Sequence, residues 1–593
     1  MTVGDRPAGR DIAGIGAIVL AGGRASRLGG ADKARIEVAG RPMLESVARA
    51  AASVADRVVT VGPGGDVRED PPFSGPVAGI AAGLAALPER ADLVVVVACD
   101  LPDLDADTLR SLVASLCGPA ALAVDAAGRD QYLLAAWDRR ALAARLSALE
   151  RSGGLAGRSV RSLYDDDEIT RVSVGDPARD VDTWADLAAR GPVAFAHVAA
   201  VLRSGLTPLP PTGRAPLDAM GAVLAAALVT VDPMPREPVS AMDGYALSGP
   251  GPWRLTEPAR RAGDGSPVIL PPGAAAPIAT GAPAPTGTDR VLRHELVEVS
   301  PDGSGPPVVG ALPAAAGVDD LRPVGEDWPA GHELAPAGTT LDAALASAGL
   351  SAGLSAVSVR GPVRAVIVTT GDEVLPADSP SPLPPGRIRD TVGPLLGPVL
   401  TRAGFVTGPG GPAAHCPDTA DAVDALVSGA PDAVARAGSG DVLVLVGATG
   451  RGVADHLRPA LRHAGARIVL DGVRVRPGGS QIVAVLPDGR VLVGLPGNPL
   501  AAISAAATTG RALVDALTGR ERPPVLTRVA GLDGLAAPTR ARVLPARPDG
   551  SGGWTLTGRV RTAHLADLAG APVLAVVPEG AGPHDPVELV DWV

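Results

Sequence analysis

A chain of α/β class with two separate α/β units, the first of them doubly wound, is the fold this sequence predicts, and three observations predict it. Short aliphatic runs such as "LVVVVACD" alternate with amphipathic segments from residue 15 onward, the pattern of a parallel sheet covered on both faces. A second run of this kind starts at "PVRAVIVTTGDEV" and continues through "GDVLVLVGATGRG" to "GLPGNPLAAISAAATTGRALVDAL". At 593 residues the chain is far longer than one ordinary domain, so several cores are expected.

Taken in order, "IGAIVLA" reads as the first strand, "PMLESVARAAASVA" as a helix and "RVVTVG" as a strand. "VAGIAAGLAALPERA" then reads as a helix, and "LVVVVACD" as a buried strand ending in Asp100. This unit closes near "VDTWADLAARG", which assigns it residues 1–195; the link that follows, "RGPVAFA", is short. Residues 196–230 read as helical, ahead of the Pro-rich "VDPMPREPVSAMDGYAL". Residues 245–318 are β-like, with "RVLRHELVEV" as the clearest strand, between a helical and extended part at 196–244 and 319–360. The second α/β unit takes 361–520, and 521–593 reads as short strands of a small β-barrel or sandwich.

Composition is globular, 46% hydrophobic and 20% charged. A net charge of -11 with no basic stripe argues against a nucleic-acid partner, as do aromatics at only 2%. Cys99, Cys117 and Cys416 are far apart and form no CxxC, which fits a reducing compartment without structural zinc. No apolar stretch reaches spanning length free of charges and prolines, so a cytoplasmic protein with no membrane contact is expected.

Two singletons mark the chemistry. Lys33 is the only lysine; the other 52 members of the Lys+Arg total of 53 are arginines. Asn498 is the only asparagine. Lys33 lies in "LAGGRASRLGGADK", directly after the first strand, where open α/β sheets bind ligands. Glycines there let backbone N–H groups approach phosphates. Arg24, Arg27 and Lys33 add positive charge where pyrophosphate would leave. Lysine is a compact point charge on a flexible stem, whereas arginine is a planar fork, a reason for this one position to resist the arginine used elsewhere. Asp100, in "CDLPDL", is a hard oxygen ligand at a strand tip and suits Mg²⁺ on triphosphate oxygens. Asp103 and Asp105 read as turn and capping residues, and Asp182 as either a neighbour of the metal or a helix cap. In the later half, Asp243, Glu326, Asp372, Asp390 and Asp455 sit on tight turns; Asp372 and Asp455 follow strands of one sheet and could hold Mg²⁺ there.

Roughly residues 14–191 resemble the nucleotidyltransferases, and most closely the molybdenum cofactor guanylyltransferases. The carriers are "LAGGRASRLGGADK", "GPVAGIAAGL", "CDLPDL", "GRDQYLLAAW" and "DVDTWADL". The resemblance implies that molybdopterin attacks the α-phosphorus of GTP. It implies a nucleotide site at Leu20, Ala21, Gly22, Gly23, Arg24, Lys33, Gly75, Gly79 and Asp100, with Lys33, Arg27 and Asp100 catalytic and Asp100 holding Mg²⁺.

Roughly residues 198–593 resemble the molybdopterin molybdenumtransferases, the gephyrin-like molybdate insertases, on "PREPVSAMDGYAL", "IATGAPAPTGTDRVLRHE", "LRPVGEDWPAG", "TTGDEV" and "VGLPGNPLAA". That resemblance implies adenylylated molybdopterin and molybdate as substrates, a homodimer, and the β-rich stretch inserted into the helical one. Its site would draw on Asp243, Thr280, Glu326, Thr370, Gly371, Asp372, Asp390, Asp455, Arg476, Pro496 and Asn498, with Asp372 and Asp455 catalytic and on the metal. A molybdoenzyme or chaperone would receive the product. Three departures stand out. Thr391 and Val392 follow Asp390 where an Asn is usual, "GATG" replaces Gly-Gly-Val-Ser, and "RPGGS" replaces a lysine-bearing Pro-Gly-Lys-Pro turn. Arg474 or Arg451 could compensate for the lost cation.

Two readings of the later half follow, an active insertase or a non-catalytic pterin-binding scaffold. For the first half, transfer of another base or to another phosphate acceptor is the alternative to guanylyl transfer.

Overall fold

The structure, a computed structural model, describes residues 14–22, 28, 32–38, 40–164, 168–303, 305–408, 414–433, 440–450, 456–558 and 560–593. Gly23, Arg24, Arg27, Arg451 and Asp455 therefore lie outside the described residues. The chain divides into two compact units: residues 1–207, 364–516 and 523–593 in one, 208–363 and 517–522 in the other.

In the larger unit, the first sheet runs in the order Arg57–Val61, Ile15–Leu20, Leu93–Ala98, Asp130–Asp138, Ala120–Val124, Ile169–Ser173. Alternation sends Ala17, Val19, Val95 and Val97 to one face, where Val47, Leu109 and Leu112 of two helices cover them. Ile18, Leu20, Val94 and Val96 go to the other face, under Ile80, Leu84, Leu142 and Leu146. Both faces are thus dry, which is why the strands are aliphatic throughout. The sheet is not wholly parallel, however. Asp130–Asp138 runs antiparallel to both its neighbours. The Asp125 carboxylate accepts the amides of Ala127 and Arg129 and folds the chain back into a hairpin after Ala120–Val124.

The second sheet has the order Phe405–Thr407, Val363–Thr370, Val442–Val446, Val491–Leu495, Ile482–Val485, Arg467–Asp471. Its central three strands are parallel, and the last two are antiparallel additions. Helix Pro499–Thr518 packs at Gly510 against Phe405 of the edge strand and against Ala403. Its composition would suffice to cross a bilayer, but 89% of its apolar window is buried, so it is a core helix.

A third sheet joins Leu526–Thr527, Val587–Asp591, Val573–Val577, Ala541–Pro548, Val473–Arg476 and Val193–Ala194. The last of these falls within the segment read as a link. It is a strand, with Val193 and Ala194 in parallel register with Val473 and Arg474.

The smaller unit holds a six-stranded sheet in the order Arg290–Arg293, Gly244–Leu247, Ala274–Ile278, Trp253–Leu255, Gly305–Ala311, Val297–Asp302. Helix Ala343–Ser351 and several two- and three-stranded pieces complete it. Gly244 is required where strands cross closely, because a Cβ there would strike the Leu292 carbonyl. Two expectations fail in this part of the chain. Residues 196–230 are α-helical only over Val198–Gly205, with single 3-10 turns at Phe195–His197 and Leu217–Ala219, and give short strands at Thr212–Arg214, Val223–Leu224 and Leu228–Val229. The prolines and glycine at 208–213 end the periodicity. "RVLRHELVEV" is two strands broken by a single turn at His294–Leu296.

Candidate active site

The first and third strands of the N-terminal sheet lie side by side and parallel, so their carboxyl ends deliver two loops to one edge. From the first come Leu20, Ala21 and Gly22. Ala21 N–H donates to the Val61 carbonyl at 2.8 Å. Gly62, at φ +141°, packs so closely that a Cβ would lie 2.9 Å from Gly22 N. Gly75 starts helix Pro76–Ala86 at φ +98°. Gly79, one turn on, lies close against that loop: a Cβ there would meet Leu20 Cδ2 at 3.2 Å, tighter than ordinary contact. Leu20, Ala21, Gly22 and Gly79 are therefore neighbours, with Gly75 at the mouth of the same helix.

Lys33 begins a short turn, Lys33–Arg35, capped by the Asp32 carboxylate on Ala34 N–H. From there its ammonium reaches Asp100 Oδ2 at 2.7 Å and Asp182 Oδ1 at 2.6 Å. Asp100 follows strand Leu93–Ala98, and its carbonyl accepts Val181 N–H at 2.9 Å, which brings Asp182 alongside. Asp182 does not cap the next helix. Thr183 and Asp186 do so with a reciprocal capping box, and the Asp182 carboxylate faces Lys33. Lys33 is only 18% exposed. Burial alone would lower its pKa, but Asp100 and Asp182 together outweigh that and hold it above the usual lysine value. The surrounding field is acidic. Burial, then Asp182 and Asp100, raise Asp180 above the ordinary carboxylate range. Cys99 is pushed up to about 12 by burial and by Asp100, so it is an inert packed thiol.

This donor set can be tested against Mg²⁺. Among the described residues no three carboxylate, histidine or cysteine side chains converge on one point. Two hard carboxylates, Asp100 and Asp182, do stand on either side of one compact cation. Mg²⁺ needs only one or two protein carboxylates when waters and substrate phosphates supply the rest, so the pair fits.

The later site residues fall in both units. In the larger one, the three parallel strands of the second sheet end in Thr370–Gly371–Asp372, Gly447–Ala448–Thr449–Gly450 and Pro496–Gly497–Asn498. Thr370 is buried, with its hydroxyl unpartnered. Asp372 and Asn498 are exposed, and Asp372 Oδ1 accepts Asp418 N–H at 3.2 Å. Burial raises the Asp418 carboxyl above its ordinary range; neighbouring His456 opposes this, while Asp372 and Glu373 add to it. Asp390 Oδ1 accepts Val392 and Gly393 N–H, closing the turn into helix Gly393–Ala403. Ala448 takes φ +46°, a left-handed conformation that disfavours a Cβ.

The two departing loops meet each other. Thr449 Oγ1 of "GATG" lies 3.2 Å from Ser480 Oγ of "RPGGS". Arg458, which sequence reasoning missed, ties both together: it donates to Thr449 O and Gly450 O of the first loop at 3.0 and 2.7 Å and to Ser480 O of the second at 3.4 Å, and it is anchored on Asp471 Oδ1 at 2.6 Å. Arg476 is exposed. Arg474 is committed elsewhere, to Glu37 and Glu579, so it does not replace the missing lysine.

In the smaller unit, Asp243 Oδ1 accepts both Thr280 N–H at 2.7 Å and Thr280 Oγ1–H at 3.0 Å. Those bonds hold the Asp243 carboxyl below the usual range, with help from His294. Glu326 is paired with Arg322, which also holds Asp327.

A sheet edge carrying a paired lysine, followed by a second α/β sheet ending in glycine turns, sets out a chain of two parts, and its likeness to known families makes the first a nucleotidyltransferase. Residues 17–169 match the family model of a MobA-like NTP transferase domain. Residues 194–353 match the MoeA N-terminal region (domain I and II), and 366–516 the "Probable molybdopterin binding domain". Over 198 residues the chain is 34% identical to the molybdenum cofactor guanylyltransferase of Burkholderia lata, covering 30% of this chain and 94% of that protein. Over 319 residues it is 29% identical to the molybdopterin molybdenumtransferase of Synechococcus elongatus, covering 51% and 76% respectively. Against two Nostoc relatives bearing these names, the match spans only about half of each, 50% and 52%. The crystal structure of the molybdopterin biosynthesis MoeA protein from Pyrococcus horikosii aligns with TM-score 0.52 at 22% identity, over 68% of this chain and 99% of that one, a likeness of fold. The chain belongs to the molybdenum cofactor guanylyltransferase family through its N-terminal part, and the regions that follow match the MoeA N-terminal and molybdopterin-binding family models.

Proposed function

We propose that the N-terminal site transfers GMP from GTP to molybdopterin. The observation that carries this reading is the Lys33 ammonium held between Asp100 and Asp182 at the carboxyl edge of the sheet. A terminal phosphate oxygen of molybdopterin forms a bond to the α-phosphorus of GTP. The bond from that phosphorus to the bridging oxygen breaks, and pyrophosphate leaves with the electron pair. Phosphoryl chemistry of this kind asks the protein for position and charge. Backbone N–H groups of the glycine loop beyond Ala21 orient the phosphates, and Gly79 lets the helix approach that loop. The flexible stem of Lys33 can bring its ammonium from a carboxylate to the departing oxygens. Mg²⁺, held by Asp100 and Asp182, would neutralise phosphate charge. Gly23, Arg24 and Arg27 belong to the same proposed loop.

For the later half we propose molybdate insertion into adenylylated molybdopterin, with AMP released. In the larger unit the proposed site is the edge carrying Thr370, Gly371, Asp372, Pro496 and Asn498, with Arg476, Asp390 and Asp455 as further members and Mg²⁺ on Asp372 and Asp455. Asp243, Thr280 and Glu326 are proposed from the smaller unit. The exposed carboxylate of Asp372, on the same sheet edge as the glycine turn of Asn498, supports the larger unit's part. We place the protein in the cytoplasm, as a homodimer through its MoeA-type regions, handing product to a molybdoenzyme or its chaperone.

The test is pyrophosphate release by the whole chain with molybdopterin and Mg²⁺, offered GTP, CTP or ATP separately. GTP-selective release that Lys33→Ala abolishes is the expected result. Turnover with CTP alone would overturn the base assignment. Molybdate-dependent AMP release tests the later half, and its absence favours the scaffold reading.

A further inference from the structure

Arg474 belongs to the MoeA-type half, yet its guanidinium ends in the nucleotidyltransferase domain. It pairs with Glu37, 437 positions away, and with Glu579 Oε2 at 3.2 Å. The side chain is only 11% exposed. Glu37 belongs to a hairpin, Glu37–Val38 with Arg41–Pro42, that follows the Lys33–Arg35 turn directly. Met43 N–H closes that hairpin onto the Ile36 carbonyl at 2.9 Å. Gly40 lies at its tip, and a Cβ there would stand 3.6 Å from Arg474 Nη1, so the guanidinium rests against the hairpin as well as bonding it.

The backbone around this contact is fixed independently. Val193–Ala194 hydrogen-bonds to Val473–Arg474, and Gly205 meets Val469 so closely that a side chain would clash. His197, half-buried beside Arg474, has its ring 5.2 Å from that of Trp184. Arg474 therefore reaches Glu37 from a rigid base. With Glu37 34% exposed, the ionic contact adds little to net stability.

From the grip of Arg474 on the hairpin we infer that Arg474 is a positioning residue of the transferase site. Held through Glu37, the turn that carries Lys33 is fixed by the other half of the chain, so that the MoeA-type module completes the N-terminal active site. This rests on the proposed guanylyl transfer only for the task assigned to Lys33.

Because Lys33 is the sole lysine, its ε-amine can be read without interference from other side chains. The full chain is compared with Arg474→Met, Arg474→Lys, Glu37→Gln and the double variant Arg474→Met/Glu37→Gln. Two quantities are measured: kcat and KM for pyrophosphate release from GTP, and the rate at which an amine-reactive reagent modifies Lys33, read by peptide mass spectrometry. Arg474→Met is expected to lower kcat about tenfold with KM nearly unchanged, the pattern of misplaced catalytic charge, and to speed Lys33 modification. Arg474→Lys recovers only part, since one ammonium cannot serve both carboxylates as a fork does. In the Glu37→Gln background, Arg474→Met adds nothing further.

Wild-type kcat and Lys33 reactivity in Arg474→Met, or simply additive losses, overturn the inference. Should Arg474→Met fail to fold, Glu37→Gln alone decides, with the same kcat loss and faster labelling expected and wild-type behaviour overturning. If the wild type releases no pyrophosphate from GTP, the proposed function has failed, while Lys33 labelling still decides the positioning role.

Discussion

Lys33 and Asp182 are 149 positions apart in sequence and 2.6 Å apart in space. That closeness suits the compact charge of a lysine, the one kept among the arginines of this chain. A compact ammonium fits between Asp182 and Asp100 and can still swing to a phosphate; a planar guanidinium placed there would lock onto one carboxylate. Lys33→Arg, although it preserves charge, is expected to reduce kcat for pyrophosphate release by about a hundredfold, the scale of losing one positioned donor. An unchanged melting temperature would show that the loss lies in chemistry and not in folding.

Asp182→Asn removes a charge but keeps the shape. The Mg²⁺ concentration for half-maximal pyrophosphate release is expected to rise by about tenfold, corresponding to ~1.4 kcal/mol. A Mg²⁺ dependence identical to wild type would remove Asp182 from the metal site and leave it as a partner of Lys33 alone.

His197 is held below the ordinary histidine value, first by burial and next by the positive charge of Arg474, with Glu37 pulling the other way. In the unfolded chain the imidazole takes up a proton near its usual pKa of about 6.5. The folded chain does so only at lower pH, so below about 6.5 the unfolded state binds more protons and stability falls with acidification. His197→Phe keeps the ring against Trp184 and removes the titration. Between pH 7 and 5.5 its melting temperature should fall by about 2 °C less than that of the wild type.

The three cysteines should divide by access. Cys117 is exposed, whereas Cys99 and Cys416 are buried, and the Cys99 thiol is pushed up to about 12. A thiol reagent is expected to modify one cysteine quickly in the native protein and all three after denaturation. Rapid native labelling of Cys99 would mean that the strand beside Asp100 opens readily.

Much of the fold was legible because burial on both faces writes aliphatic runs into sequence. In Leu93–Ala98, neighbours such as Val94 and Val95 pack on opposite faces, and the unbroken run is enough to mark a buried strand. The antiparallel course of Asp130–Asp138 was not legible, since it depends on the Asp125 turn and on which strand edge remained free. The helix expected through residue 230 failed because local apolar content carries no record of the short pairings that replaced it. At the site, Lys33 and Asp100 announced themselves by rarity and by position at a strand end. Asp182 remained divided between two roles until Thr183 and Asp186 were seen to take the cap. Arg458 gave no signal, and Arg474 drew notice only as a substitute for the lost lysine and not as a partner of Glu37, because an arginine that reaches across the fold looks in sequence like any other arginine of the chain.

The strand Val193–Ala194 has a consequence for how the two activities can be separated. Its amides are spent in the sheet of the following half, so the junction offers no slack for one domain to swing on a tether. Cutting the gene after residue 195 would carry that strand away and leave Val473–Arg476 with a bare edge, open to pairing with other chains. Genetic dissection of the fusion is therefore best done by inactivating each half in place, with the polypeptide left whole.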